Sequence, residues 1–225
     1  VFVIKRDIRD YFNSIDHTVL IDKLKSLIVD KDYLFNLLVT RIKFTFITDE
    51  GTQTASRGVP FGTAIACFFA NLYLSNLDYK LNEIVGANAY RYADDILILC
   101  SNESTARESI RVFNEEIQSL RLACKPSHTK NLVLHQEPHA GFQNVSNFRF
   151  LGLKYSLNGN VSLSIEKARK IRNLFKFALR REKRRYRHIK NKHKRAQIAT
   201  KICQRVIERG LRGVAIIDYY LRHVT

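Results

Sequence analysis

No stretch of this chain approaches the roughly 20 consecutive apolar residues that a helix needs to cross a bilayer, which argues against a membrane-spanning protein. Cysteine is scarce, and Cys67, Cys100, Cys124 and Cys203 are scattered without paired spacing. That pattern argues against a zinc site and a disulfide scaffold, and it fits a reducing cytoplasm. Methionine is missing altogether, even at position 1, and the chain opens inside an apolar strand. The opening residues also lack the basic flank and small-residue cleavage site of a signal peptide. We therefore expect a fragment whose natural start lies upstream. Acids are thin at the other end, where residues 165–225 hold 4 Asp or Glu against 20 Lys or Arg.

What remains is enough for a globular core. A length of 225 residues allows one large domain or two smaller ones, and a hydrophobic fraction of 45% excludes disorder as the default. The formal net charge is +17, yet residues 1–164 are close to neutral, with 18 Lys or Arg against 17 acids. A neutral body carrying a basic last third points to a bound polyanion, with nucleic acid favoured over a membrane surface.

The most specific stretch is Tyr92-Ala93-Asp94-Asp95, set between Asn88-Ala89-Tyr90-Arg91 and the apolar run 96–100. Two β-prone segments around adjacent carboxylates predict a tight hairpin with acids at its tip. Uncompensated acids at a turn are costly unless something positive sits there, and a hard divalent cation is the natural candidate. A third carboxylate, Asp7, ends the apolar strand that begins the chain. Carboxylates from neighbouring strands that hold a pair of metal ions are a recurring apparatus for in-line phosphoryl transfer.

Periodicity places the other elements. Helices are expected over 14–28 and 32–42, a hairpin around Asp49-Glu50-Gly51, and a Gly/Pro loop at 57–62. Residues 63–74 are apolar nearly all round and predict a buried helix with Thr63 as its N-cap. A helix over 104–120 follows, then strands at 132–134, 148–153 and 161–163, with Asn158-Gly159 as a hairpin turn. Beyond 164 the pattern is helical only, at 165–188, 194–209 and 212–222. Leu174, Phe175, Phe177 and Leu179 supply a packing face in the first of these. A mixed α+β part followed by a basic helical part sets an expected domain boundary near 160.

The succession of Asp7, Arg57-Gly58-Val59-Pro60-Phe61-Gly62, Tyr92-Ala93-Asp94-Asp95, Lys130, Phe150-Leu151-Gly152 and basic helices resembles the palm and thumb of a reverse transcriptase. It is most similar to the bacterial group that includes group II intron maturases, retrons and antiviral-defence enzymes. The closing segment 209–220 resembles the end of the thumb in intron maturases. The resemblance implies an α+β right-hand palm over 1–160, with a ferredoxin-like antiparallel sheet and helices. An all-helical basic thumb over 161–225 follows, and a fingers segment is missing upstream.

It also implies site residues. Asp7, Asp94 and Asp95 match the catalytic acids. With the backbone carbonyl of Ile8, they would hold two Mg²⁺ ions, for which Mn²⁺ could substitute. Asp10 and Asp16 read as surface or capping acids. Phe12 matches the aromatic plate that excludes a 2′-hydroxyl, in preference to Tyr11. Arg57 and Gly58 match a loop against the template base and incoming nucleotide, where the family commonly has Gln in place of Arg57. Lys130 matches the lysine near the triphosphate, and Phe150, Leu151 and Gly152 match the turn that grips the primer. Lys167, Lys170, Arg172, Lys176, Arg180, Arg181 and Arg184 would line the phosphates of a template–primer duplex.

The implied activity is RNA-directed DNA polymerisation in a bacterial cytoplasm. The implied partners are an RNA template, a DNA primer and product, dNTPs, and a cognate intron or non-coding RNA, with no membrane. The alternatives are a template-independent or non-catalytic relative that acts as an RNA-binding maturase or defence protein.

Overall fold

The computed structural model describes residues 1–208 apart from 30, 50, 61, 135, 136, 138 and 164. The expected helix at 212–222 and the 209–220 resemblance lie outside the described residues. The chain divides into two compact units, residues 1–145 and a second from Ser146 onward.

In the first unit, β1 (Phe2–Asp7) leads into a short α1 (Tyr11–Ser14), then α2 (His17–Leu27) and α3 (Asp32–Ile42). The hairpin β2 (Thr45–Thr48) and β3 (Gly51–Thr54) is followed by α4 (Ala64–Tyr73) and α5 (Ser75–Asn82). The hairpin β4 (Ala87–Tyr92) and β5 (Asp95–Cys100), then α6 (Glu103–Ser119), β6 (Lys130–Val133) and β7 (Gln143–Asn144) complete it. The main sheet runs β4-β5-β1-β6-β7, antiparallel except for the final β6–β7 pair. With helices between β1 and β4 and between β5 and β6, this is an interleaved β-α-β-β-α-β arrangement.

Strand alternation separates the two sheet faces. Phe2, Ile4, Ile96, Ile98 and Cys100 point into one core with Leu20, Leu24, Phe69, Tyr73, Leu77 and Phe113 of the helices. Burying rings such as Phe69 and Phe113 contributes about 2–3 kcal/mol each. Arg6 shares that inward face. It is 4% exposed, stacks over Phe113, and donates to the Lys5 and Lys130 carbonyls and to Asn131 Oδ1, so its charge is satisfied. Lys5 and Asp7 alternate to the opposite face.

Several boundaries differ from the sequence expectation. The helix expected over 14–28 is interrupted, because Asp16 stands as an N-cap and takes the Thr18 and Val19 N–H groups at 3.0 and 3.3 Å. The apolar helix α4 is not buried all round, since Cys67 is exposed and Phe68 is 42% exposed. Thr63 does stand at its N-cap position, but its hydroxyl donates to the Pro60 carbonyl rather than capping the helix.

The second unit holds β8 (Asn147–Phe150), β9 (Leu153–Ser156), β10 (Val161–Leu163) and the helices α7 (Ile165–Arg181), α8 (Lys183–Tyr186) and α9 (Lys192–Glu208). The single strand expected over 148–153 is a hairpin, because Leu151 and Gly152 take φ of 48° and 81° and reverse the chain. Ala178 and Ile202 are buried where α7 packs on α9. Phe177 does not join that packing face, being 66% exposed. Among the described residues, no helix is long and apolar enough to cross a membrane.

Candidate active site

The sheet register brings the acids together. Asp7, last in β1, stands opposite Asp95, first in β5, and Tyr92 of β4 completes the row. The tip of the hairpin is therefore Ala93-Asp94, with Asp95 already in the strand. Ala93 takes a φ of 54°, a left-handed conformation that costs a non-glycine residue roughly 1–2 kcal/mol. The turn is pinned by Ile8, which is fully buried and donates its N–H to the Asp94 carbonyl at 3.2 Å.

A residue the sequence did not single out lies among these acids. The Lys125 ammonium sits 2.6 Å from Asp7 Oδ1 and 3.9 Å from Asp94 Oδ2. Two aspartates far apart in sequence thus share one cation. Its place is set by main chain: Lys125 donates its N–H to the Asp7 carbonyl at 2.8 Å, and Arg9 donates to Ala123 at 2.7 Å. Direct contact with Asp7 holds the Lys125 amine above the ordinary lysine range, with the charges of Asp94 and Asp95 adding to it. Asp95 is raised above the usual carboxylate range, first by burial and then by repulsion from Asp7 and Asp94. Lys5 and His128 oppose that shift.

The donor set fits a hard cation. Asp7 Oδ1 is shut away from water, with the Lys125 ammonium 2.6 Å away. Among the described residues, however, no three His, Cys, Asp or Glu side chains already converge as a metal cluster. With Lys125 drawn onto Asp7, the positive charge at the acids is the chain's own.

The loop at 57–59 is laced to the segment bearing Phe12. Val59 donates to the Phe12 carbonyl at 2.9 Å, Gly58 donates to Ile15 at 2.7 Å, and His17 Nε2 donates to the Gly58 carbonyl at 2.6 Å. Gly58 has a φ of +84°, and a Cβ there would lie 3.1 Å from Asn13 Cα and 3.2 Å from the Phe12 carbonyl oxygen. Its glycine thus serves a close crossing of two backbones. Arg57 lies 3.5 Å from Asp16 Oδ2, which also takes Arg121 at 2.9 Å. Phe12 is half-buried, whereas Tyr11 is buried and donates its hydroxyl to Ala70. Tyr11 is therefore part of the core.

Lys130 is exposed on β6, paired with Lys5 one row along the same sheet face, roughly 7 Å from the Asp7–Asp95 row by strand rise. In the second unit, Phe150 is buried while Leu151 is 42% exposed at the turn. Lys167 folds over Gly152 and donates its ammonium to the Leu151 carbonyl at 3.0 Å, so it fastens the turn. Lys170, Arg172, Lys176, Arg180, Arg181 and Arg184 are exposed.

The family described as reverse transcriptase (RNA-dependent DNA polymerase) matches residues 1–155. Among solved structures, apo telomerase from Candida tropicalis, truncated from its C-terminal domain, superposes with a TM-score of 0.60 at 15% identity, over 72% of this chain and 35% of that one. Telomerase from Candida albicans, in complex with a fragment of telomeric RNA, gives 0.60 at 11% identity over 100% of this chain and 40% of that one. At these identities the likeness is one of fold. The chain spans about a third of the length of the first telomerase. No curated protein matches.

Proposed function

The chain belongs to the reverse transcriptase (RNA-dependent DNA polymerase) family, and we propose that it carries the nucleotidyl-transfer centre of an RNA-directed DNA polymerase. The observation that carries this reading is the sharing of one cation by Asp7 and Asp94, with Asp95 beside them in the sheet register. Residues 1–160 act as the palm, and the basic helices from 161 onward as the thumb.

Asp7, Asp94 and Asp95, with the Ile8 carbonyl, would hold two Mg²⁺ ions, or Mn²⁺ in their place. Bound there, the ions would supply charge for a primer 3′-oxygen and for the departing pyrophosphate. The protein's own part is positioning. Phe12 presents its ring to the incoming sugar and rejects a 2′-hydroxyl by exclusion. The loop at 57–59, held to the Phe12 backbone, fixes where that ring meets the nucleotide. Lys130 attends the triphosphate, and the Leu151-Gly152 turn meets the primer end. The exposed cations of α7 and α8 take duplex phosphates without reading sequence. The substrates are dNTPs on an RNA template with a DNA primer, in a bacterial intron-like or defence-associated element.

Primer extension tests the reading. Asp94→Ala is expected to abolish extension, a loss of about 10³-fold or more, while duplex binding through the basic helices stays near wild type. Extension within tenfold of wild type would reject the assigned role.

A further inference from the structure

Lys125 was absent from every functional expectation, yet it is the cation nearest Asp7 in the structure. The anchoring of this residue is uneven. Its main chain is fixed by the N–H bond to the Asp7 carbonyl at 2.8 Å, and its own carbonyl accepts from His128 and Thr129 at 3.1 Å each. Its side chain is 38% exposed, with four methylenes free to swing outward. Arg6, next to Asp7 in sequence, shows the contrast: it is 4% exposed and held by hydrogen bonds to both the main chain and Asn131.

We infer that Lys125 is a resident, displaceable counter-ion of the Asp7–Asp94 pair, which its ammonium must vacate before the pair can take a divalent cation. This rests on the reading that those aspartates are metal ligands. The physical reason is exclusion. Asp7 Oδ1 already has the ammonium at 2.6 Å, and a divalent cation bound to the same oxygen at about 2.0–2.6 Å would meet a like charge in van der Waals contact. Without metal, the ammonium relieves repulsion between the two carboxylates and keeps them convergent. With metal, it becomes the competitor. Lys125 therefore sets how much divalent cation the site requires.

The test is Mn²⁺ titration of the full chain, read by the electron paramagnetic resonance signal of free Mn²⁺, on the wild type and on Lys125→Met, Lys125→Arg and Asp7→Asn. Loss of the competing ammonium is expected to give roughly fivefold tighter Mn²⁺ binding in Lys125→Met. Lys125→Arg, which keeps the charge, stays near wild type, and Asp7→Asn binds far more weakly. Thermal unfolding adds a second readout: in EDTA Lys125→Met melts below wild type, and saturating Mn²⁺ closes the gap. Unchanged or weaker Mn²⁺ binding in folded Lys125→Met, with Asp7→Asn impaired, overturns the counter-ion role and leaves the metal site standing. Wild-type binding by Asp7→Asn overturns the metal reading itself.

Discussion

Replacing Gly58 by alanine separates two costs that usually come together. At a φ of +84°, an added side chain suffers backbone strain of roughly 1–2 kcal/mol. At Gly58 the new methyl also meets Asn13 Cα at 3.1 Å and the Phe12 and Asn13 carbonyl oxygens at 3.2 and 3.3 Å. Those are main-chain atoms that cannot rotate aside, so an overpacking cost of about 1–3 kcal/mol is added. Gly62 provides the internal control, since its φ of +86° brings the same strain while no atom lies within 4 Å of a Cβ. Expected losses are therefore roughly 3 kcal/mol for Gly58→Ala and about 1 kcal/mol for Gly62→Ala. For a chain of this size they correspond to melting shifts of roughly 6–12 °C and 2–4 °C respectively. Thermal and urea unfolding would measure both. Because the crossing holds the 57–59 loop against Phe12, surviving Gly58→Ala protein should also show a raised KM for dNTP. Equal destabilisation by the two substitutions would refute the collision and leave strain alone.

Two further outcomes follow from the same loop. Phe12→Ala is expected to raise ribonucleotide incorporation about tenfold or more relative to dNTP; unchanged discrimination in single-nucleotide extension assays would exclude Phe12 as the gate. Burial pushes the Asp16 carboxyl up, but the Arg121 guanidinium and the Val19 and Thr18 N–H groups outweigh it and hold it below the usual range. The stabilisation from Asp16 is therefore present above the unfolded carboxylate pKa of about 3.9 and is lost as pH falls through the lower folded value. Urea midpoints measured from neutral pH down to about pH 3 should fall more steeply for wild type than for Asp16→Asn; parallel curves would refute the assignment.

The acid hairpin was legible because its signal is local: β-prone residues on both sides of adjacent carboxylates need no distant contact to be recognised. The placement of Lys125 was not. It depends on segment 123–125 laddering onto residues 7–9, a pairing set by tertiary packing that leaves no periodic trace. The helix α5 was missed for another reason, since it follows α4 after the single residue Leu74 and lacks any side-chain cap to announce it. At 148–153 the apolar residues Phe148, Phe150, Leu151 and Leu153 concealed a reversal, because Leu151 adopts a positive φ that its side chain does not advertise. Phe177 illustrates the limit of amphipathic periodicity in a helix so rich in cations: the hydrophobic stripe is narrow, and one ring falls outside it.

The main-chain bonds from Ile8 to Asp94 and from Lys125 to Asp7 have a consequence for how this chemistry is gained or lost. The scaffold that sets the acid-bearing segments side by side is built from peptide groups, which survive side-chain replacements other than proline at 8 or 125. On the proposed role of these acids, a lineage that traded Asp7 or Asp94 for a neutral residue would lose the cation site and keep the main-chain bonds that shape it. Active and inactive descendants of such a chain would share one backbone and differ by a single carboxylate.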